Sequence, residues 1–463
     1  GGMAVGEKQW LSAKFTHYEN DANISYRGLF LDAFNAGASY NPAPDDYFLT
    51  ARKSLDLNHQ WDINSGATLN TLLYWSEMNR DYWRYAIDNA ASTAAGRWVY
   101  TDILAGNNRA FERIGLDSRL NFAHKSLGIK NKTEVGVRIM DEEMIDVTIN
   151  ATRAAPRTGT IGQDRVDSAI SYALFAENRF DVTEKLSITP GLRVENYEQK
   201  RLDRRNGANN GKSSNTELLP GLGATYQLNP GAQIYGSVYQ AFSPPLNSQS
   251  IVSGVDQQLN AEQSLNIELG VRGQRGNIRY ELTAFQMDFD NQITPGITGG
   301  LANANAGSTL HQGMETAVGL GWDNGLSLDM NLTYIPTSEY REDRGGGIKR
   351  GNRLPYSPEL LANVSVAFTS GPLKTALSGG YVDDQFGHGD NTIPITGSGN
   401  SIWKGRMASY YTVDLTGSYD VSKQLRLSAA VKNLTDERYI AGLRQGIYAG
   451  PERSFEVAAR YAF

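Results

Sequence analysis

The sequence offers few residues whose types and spacing could support catalysis. There are no cysteines among the 463 residues, which excludes disulfides, zinc–thiolate sites and thiol nucleophiles. No HExxH, GxSxG or Walker-type motif is present. The five histidines are scattered with no metal-ligand spacing, at His17, His59, His124, His311 and His388. The sequence therefore predicts a protein that is not an enzyme and has no metal site built on histidine.

Two acidic stretches could in principle hold a cation. Residues 141–146 read DEEMID, and residues 288–291 read DFDN. The first lacks the glycine and the ligand spacing of a calcium loop and is more typical of a solvated loop rim. The second is more typical of the end of a strand. Neither stretch predicts a metal site.

Composition bounds the class of protein. The net charge is −6, from 44 basic and 50 acidic residues, which gives no support for nucleic-acid binding. No run approaches about 18 consecutive apolar residues, so no transmembrane helix is predicted. The first residues, GGMAVGEKQW, lack the apolar core of a signal peptide. The chain is long for one compact core, yet no linker divides it, and one large closed sheet fits as well as several domains.

The elements that must position any site are strands. Apolar and polar residues alternate in stretches such as LSLDMNLTY at 326–334 and RSFEVAARYAF at 453–463, as expected for strands with one apolar face. We predict eighteen strands at 8–19, 50–60, 66–83, 109–123, 129–143, 167–182, 185–198, 215–227, 231–242, 261–274, 276–290, 308–322, 326–336, 357–369, 371–385, 407–419, 424–433 and 453–463. Many have the length that a tilted strand needs to cross a bilayer.

The predicted connections alternate strictly between short and long. Long ones are expected at 20–49, 84–108, 144–166, 199–214, 243–260, 291–307, 337–356, 386–406 and 434–452. Tight turns on one side and long loops on the other are typical of outer-membrane barrels. Charged residues at mid-strand, such as Arg193, Glu268 and Asp329, would then face a wet lumen while apolar residues face lipid. No repeat of 20–50 residues supports the soluble rivals, a propeller or a solenoid.

Several stretches resemble a known family. Residues 259–273, LNAEQSLNIELGVRG, and residues 280–293, YELTAFQMDFDNQI, resemble the barrel core of TonB-dependent receptors, and residues 431–442, VKNLTDERYIAG, resemble the motif before their last loop. Residues 446–463 resemble the final loop and strand. Within the family, SNTELLPGLGATYQL, YGSVYQAFSPPLNSQSI and HQGMETAVG are most similar to the ferric dicitrate branch. The heme branch is not favoured, because no histidine follows Phe242–Ser–Pro–Pro245 until His311.

The resemblance implies a fold, and this sequence differs from the family pattern in two respects. The family fold is a 22-stranded antiparallel barrel around an N-terminal plug that follows a TonB box. Here no stretch resembles the plug or the TonB box, and the resemblance places Gly1 in the turn before the fifth barrel strand. We therefore expect an all-β transmembrane barrel of about 18 of the 22 strands, with the plug absent and the barrel open or incomplete. Residues 1–463 would form a single barrel domain.

The resemblance also implies a function. It predicts an outer-membrane receptor of a Gram-negative bacterium that takes up a ferric chelate, most simply ferric citrate or a carboxylate-type siderophore. Iron would be carried within the ligand, and no cofactor is expected. The implied partners are the TonB–ExbB–ExbD complex acting through the plug, the outer-membrane assembly machinery, and lipid or lipopolysaccharide. A passive eighteen-stranded porin and a surface adhesin or phage-docking barrel remain the alternatives, and a plug encoded upstream would decide between them.

The ligand residues expected from this implied function are arginines. A planar guanidinium forks onto carboxylates better than lysine does, and the predicted loops and adjoining strand ends are rich in arginine, Arg444 among them. Arg109 and Arg113 are the first choice, because they start a predicted strand and could point inward. The remaining candidates are Arg84 and Arg438, with Asn247, Gln249 and Tyr448 as neutral donors. The terminal aromatics Tyr461 and Phe463 resemble the signal that the assembly machinery recognises.

Overall fold

The computed structural model describes residues 1–24, 26–126, 128–298 and 301–462. Phe463, named above as part of an assembly signal, lies outside the described residues. Tyr461 is described, on the last strand, and its part in such a signal stays a prediction.

The chain is built almost entirely from antiparallel strands, with three short helices in the loops. The helices are α1 (Leu31–Asn35), α2 (Asn89–Ala95) and α3 (Asn247–Ser250), and a 3₁₀ turn covers Gly207–Asn209. The strands are β1 (Gly2–Val5), β2 (Gln9–Ala22), β3 (Tyr47–Asn64), β4 (Ala67–Ile87), β5 (Tyr100–Ser126), β6 (Ile129–Thr152), β7 (Ala155–Asp181), β8 (Leu186–Asp203), β9 (Gly211–Asn229), β10 (Ala232–Ser243), β11 (Ile251–Val252), β12 (Val255–Asp256), β13 (Glu262–Arg275), β14 (Ile278–Thr298), β15 (Leu301–Gly321), β16 (Leu326–Tyr340), β17 (Leu360–Ser370), β18 (Leu373–Val382), β19 (Gln385–Phe386), β20 (Arg406–Met407), β21 (Tyr410–Asp420), β22 (Leu425–Lys432), β23 (Ile440–Arg444), β24 (Gly446–Ala449) and β25 (Ser454–Tyr461).

Nineteen of these strands form one sheet. Each pairs with the next in the chain, except that the three two-stranded pairs β11–β12, β19–β20 and β23–β24 lie in the loops. All eighteen predicted strands are present, and the nineteenth is β1, which the resemblance places in a turn but which pairs with β2 through Gly2 to Val5. Within the described residues, no ladder joins β1 to β25.

The two faces of the sheet have opposite chemistry. On β13, Leu269 is 62% exposed, whereas its neighbour on the other face, Asn266, is only 4% exposed. This is the reverse of a soluble protein, where apolar side chains are the buried ones. A membrane barrel reverses the pattern because lipid covers the apolar face and the polar face looks inward. We call these the outer and inner faces.

Several of the long connections predicted for the loop side of the sheet are shorter in the structure. The long connection expected at 144–166 is a two-residue turn, because β6 runs to Thr152 and β7 begins at Ala155. Most of the connections expected at 84–108 and 291–307 are likewise strand. The strands therefore extend well beyond the roughly ten residues that a bilayer requires. The predicted short turns on the opposite side are confirmed.

Apolar packing is concentrated in the loops. Six buried side chains from four different loops form one cluster, namely Phe30, Trp98, Trp403, Met407, Leu443 and Ile447. A smaller cluster on the loop side of β4 and β5 contains Trp83, Tyr85, Leu104 and Ala151. No helix among the described residues is long and apolar enough to cross a membrane. The loops thus pack on each other and on the loop-side ends of β4 and β5, where Ile87 and Tyr100 contact the cluster.

Candidate functional site

The first group of predicted ligand residues lies on the inner face of β5. Arg109 and Arg113 are in mid-strand rather than at its start, and both line a cavity of about 920 Å³. Arg109 Nε donates to Asp146 Oδ1 at 2.9 Å, and Arg113 is paired with Glu142 on the same neighbouring strand. Across the cavity, Arg201 Nε donates to Asp167 at 2.7 Å. An anion binding beside these three arginines would compete with carboxylates already in place, whereas Arg52 and Arg138, which also line the cavity, have no carboxylate within 4.0 Å among the described residues.

The two predicted amides belong to the loop beside this cavity. Asn247 lines the cavity, and its Nδ2 donates to the carbonyls of Ser168 and Lys200 at 3.1 and 2.9 Å. Gln249 Oε1 accepts the Leu246 N–H at 2.8 Å. Asn247 thus fixes α3 against β7 and β8, whereas the Gln249 side chain bonds to the start of its own helix. Contact of either amide with a ligand stays a prediction.

A second group brings together Arg84 and Tyr448 with three residues that the sequence did not single out as ligands. We call Tyr26, Tyr82, Arg84, Arg444 and Tyr448 the arginine–tyrosine cluster. The Arg84 guanidinium carbon lies 4.3 Å from the centre of the Tyr26 ring and 4.9 Å from that of Tyr82. The Arg444 guanidinium carbon lies 5.2 Å from the same Tyr26 ring. At these distances the rings attract the cations.

The cluster carries positive charge that no carboxylate balances. In the part of the chain that the structure describes, no acidic side chain lies within 4.0 Å of Arg84 or Arg444. Arg84 Nε is buried and has no hydrogen-bond partner there. Two guanidinium groups close together repel each other, and an unsatisfied buried donor costs free energy. An anion that bound here would remove both costs.

Tyr448 supplies a neutral donor to the cluster. It lies on the β23–β24 hairpin in the last loop, and burial raises the pKa of its phenol to about 12, although Arg444 nearby acts in the opposite direction. The phenol therefore stays protonated at any physiological pH and can donate a hydrogen bond to an anionic oxygen.

Three separate parts of the chain build the cluster. Alternation along β4 places Tyr82 and Arg84 on its inner face. Tyr26 comes from the loop after β2, and the β23–β24 hairpin carries Arg444 and Tyr448. The two loops touch at glycine: a Cβ on Gly28 would lie 2.4 Å from the Ile447 carbonyl oxygen, and Gly446 has a φ of 90°. Neither position accommodates a larger residue without moving the backbone.

Arg438 lies outside the cluster. Its Nη2 donates to the carbonyls of Phe34 and Ala38 at 3.1 and 2.6 Å, and its Nη1 lies 3.4 Å from Glu452. The sequence found Arg84, Arg438 and Tyr448 from residue type and loop position. It passed over Tyr26 and Tyr82 because a single aromatic residue in a loop or strand carries no periodic signal.

One loop that supports the site should open in acid. Burial would raise the pKa of Asp390, but Lys404 Nζ at 2.7 Å, the Thr392 N–H and the nearby His388 ring outweigh it and lower the pKa below 3.8. This stabilisation is present above the unfolded-state pKa and is lost as pH falls through the folded-state value. We expect opening of residues 383–409, measured by hydrogen exchange, to increase by at most about tenfold per pH unit below pH ~4. Asp390→Asn should abolish that dependence, and an unchanged profile in the variant would contradict this assignment.

Among the described residues, no group of three or more metal-ligating side chains converges.

Comparison with known proteins adds the family context. The family model described as TonB dependent receptor-like, beta-barrel, matches residues 5–434. The ferric enterobactin receptor of Pseudomonas aeruginosa is 26% identical over 73% of this chain and 49% of its own length. The pesticin receptor of Yersinia enterocolitica is 25% identical over 63% of this chain and 43% of its own length.

The fold has counterparts among solved structures. The ferric citrate transporter FecA in its unliganded form aligns with a TM-score of 0.83 at 20% identity, over 98% of this chain and 68% of that one. The ferric yersiniabactin uptake receptor FyuA from Yersinia pestis aligns with a TM-score of 0.77 at 17% identity, over 99% of this chain and 68% of that one. The chain spans about half the length of the curated relatives above.

Proposed function

This chain belongs to the family of TonB-dependent receptor β-barrels of the Gram-negative outer membrane, a family of receptors and not of enzymes, and we propose that it takes up an anionic ferric chelate. We further propose that residues 1–463 form a single barrel domain, and that uptake is energised by the TonB–ExbB–ExbD complex. Both of these rest on family membership. The same membership favours a receptor over the porin and adhesin alternatives.

The observation that carries the ligand proposal is the arginine–tyrosine cluster. Among the described residues, Arg84 and Arg444 have no carboxylate within 4.0 Å, in contrast to Arg109 and Arg201 of the cavity wall. A ferric chelate with a net negative charge would supply the missing counter-charge, and its oxygens could accept from the guanidinium N–H groups and from Tyr448. Charge-assisted bonds of this kind are about twice as strong as neutral ones.

Two ligand chemistries fit the cluster. Ferric citrate, the finer prediction from the sequence, presents carboxylates that match the forked geometry of arginine. A ferric catecholate is the second candidate, because the Tyr26 and Tyr82 rings beside Arg84 would offer stacking partners for aromatic ligand rings. Two relatives are named for a chelate other than ferric citrate, namely the ferric enterobactin receptor and the ferrienterobactin receptor.

A binding titration tests the proposal and separates the two chemistries. Trp98 and Trp403 lie in the loop core next to the cluster, so we expect ligand binding to change tryptophan fluorescence. Full-length protein is titrated with ferric dicitrate and with a ferric tris-catecholate, with each iron-free chelator as the control. A saturable response at micromolar concentration to one ferric chelate supports the proposal. If neither chelate gives one, the ligand proposal is wrong.

A further inference from the structure

The loop after β2 and the loop before β25 are joined by their backbones. We call residues 23–46 the first loop and residues 433–453 the last loop. The Gly28 N–H donates to the Gln445 carbonyl at 2.6 Å. Leu29 and Ile447 exchange two hydrogen bonds, each of 2.8 Å. The loops are thus joined by isolated β-bridges that lie outside the barrel ladders.

Arg438 forms a second junction between the same loops. Its guanidinium reaches from the last loop to the end of α1 in the first loop, where it donates to the Phe34 and Ala38 carbonyls. The Phe34 carbonyl also accepts the Gly37 N–H at 3.0 Å, and Ala38 lies just past α1, so Arg438 adds charge-assisted bonds to the turn that ends the helix. The same group lies 4.6 Å from the centre of the Phe34 ring, and Glu452 pairs with it from the last loop.

The position of these junctions matters for the arginine–tyrosine cluster. Tyr26 lies two residues before Gly28, and Arg444 immediately precedes Gln445. The first loop and the last loop each contribute a cluster residue beside a backbone junction. Tyr26 is held on β4, because its N–H donates to the Tyr82 hydroxyl at 3.0 Å and the neighbouring Arg27 pairs with Asp46. The position of Arg444 over Tyr26 therefore depends on how the last loop is held to the first.

We propose that Arg438 is a positioning residue: it joins the first and last loops into one clamp that holds Arg444 over Tyr26 and Arg84. The proposal rests on the proposed function, since the clamp matters through the ligand that the cluster binds. The Arg438 guanidinium donates to the first loop, and it acts on the ligand through Arg444. It adds a junction near the end of α1, away from the backbone pairing of Gly28 and Leu29 with the last loop.

The first test is affinity. We expect Arg438→Ala to weaken binding of the responding ferric chelate by about tenfold to a hundredfold, the cost of losing charge-assisted bonds to two carbonyls. Arg438→Lys, which retains the charge and one donor, should recover part of that loss. Arg453→Ala is the matched control, because Arg453 lies in the same loop but pairs with Asp436 of that loop at 3.3 Å. Wild-type affinity in Arg438→Ala would overturn the proposal.

The second test is rescue by a cross-link. The chain has no cysteine of its own, and a doubly hydrogen-bonded antiparallel pair such as Leu29 and Ile447 has the Cα separation that a disulfide needs. We expect the double variant Leu29→Cys/Ile447→Cys to form the bond under mild oxidation. In the Arg438→Ala background, the oxidised form should bind the chelate within about threefold of the oxidised double variant with Arg438 intact, since the clamp is then covalent and preorganised. Reduction should restore the defect.

The cross-link also separates two kinds of failure. Its rate of formation needs no ligand, and we expect it to fall in Arg438→Ala but not in Arg453→Ala. If no ferric chelate binds the wild type while that rate still depends on Arg438, the proposed function fails and the clamp stands. If the rate is the same in both backgrounds, or if the oxidised form does not recover affinity, the clamp is wrong. Heat-modifiable migration in gels verifies that each variant barrel is folded.

Discussion

Replacing Arg84 with alanine is expected to weaken binding of the ferric chelate by about a hundredfold, the largest effect on affinity among the cluster residues. Arg84 lies against the Tyr26 and Tyr82 rings, which contact each other edge to face, and among the described residues its buried Nε has no partner. Its removal deletes the positive charge that both rings contact. Truncating one partner of a desolvated charge pair costs about 2–5 kcal/mol, or roughly 30-fold to several thousandfold in affinity. The measurement is the fluorescence titration described above.

Two further variants give the Arg84 result its meaning. Arg84→Lys retains the charge but loses the planar fork and the contact of the guanidinium with the Tyr26 and Tyr82 rings. We therefore expect a loss of affinity smaller than that of Arg84→Ala. Arg350→Ala removes the same charge from an exposed position in the loop after β16, and should leave affinity within about twofold because exposed charges are screened. Equal losses in Arg84→Ala and Arg350→Ala would mean that only net charge attracts the chelate. No loss in Arg84→Ala would remove the cluster as the binding site.

The sequence predicts the strands of this fold well where one face meets lipid. On β13 and β16, apolar residues recur at every second position because any polar residue on the outer face would lose its hydration. The same requirement does not hold on the loop side. The stretch from Tyr100 to Ala110 is strand, and Leu104 within it is buried in a cluster of side chains and does not face lipid, so no apolar outer face marks the stretch. The connection expected at 84–108 is therefore too long, since only residues 88–99 connect β4 to β5.

The pairing of charges could not be predicted from the sequence. Arg109 and Asp146 are 37 residues apart and meet because of the register of β5 with β6. A shift of one residue would send each side chain to the opposite face. Predicted strand ends are uncertain by several residues, so the sequence could name arginines but could not tell which had carboxylate partners. Arg84 and Arg109 look equivalent in sequence. In the structure Arg109 pairs with the Asp146 carboxylate, whereas Arg84 has no carboxylate partner among the described residues.

The buried ion pair under the first loop should make the largest contribution to the stability of the loops. Arg27 Nη1 donates to Asp46 Oδ2 at 2.7 Å, and the two side chains are 4% and 0% exposed. Asp46 Oδ1 also accepts the Tyr85 N–H, and Arg27 Nη2 donates to the Tyr85 carbonyl, at 2.8 Å each. The pair thus ties both ends of the first loop to the top of β4, next to Arg84.

We expect Asp46→Asn to lower the free energy of local opening of the first loop by about 3–5 kcal/mol, because it leaves the Arg27 charge buried without a counter-charge. The Leu29 amide, which donates to Ile447, should then exchange about a hundredfold to several thousandfold faster. Amides in the β13–β14 ladder are the internal control and should not change. The double variant Arg27→Leu/Asp46→Asn should recover part of the loss, since it removes both charges from the same site. A change below about 1 kcal/mol in the single variant would mean that water reaches the pair and that the first loop is held mainly by its junctions with the last loop.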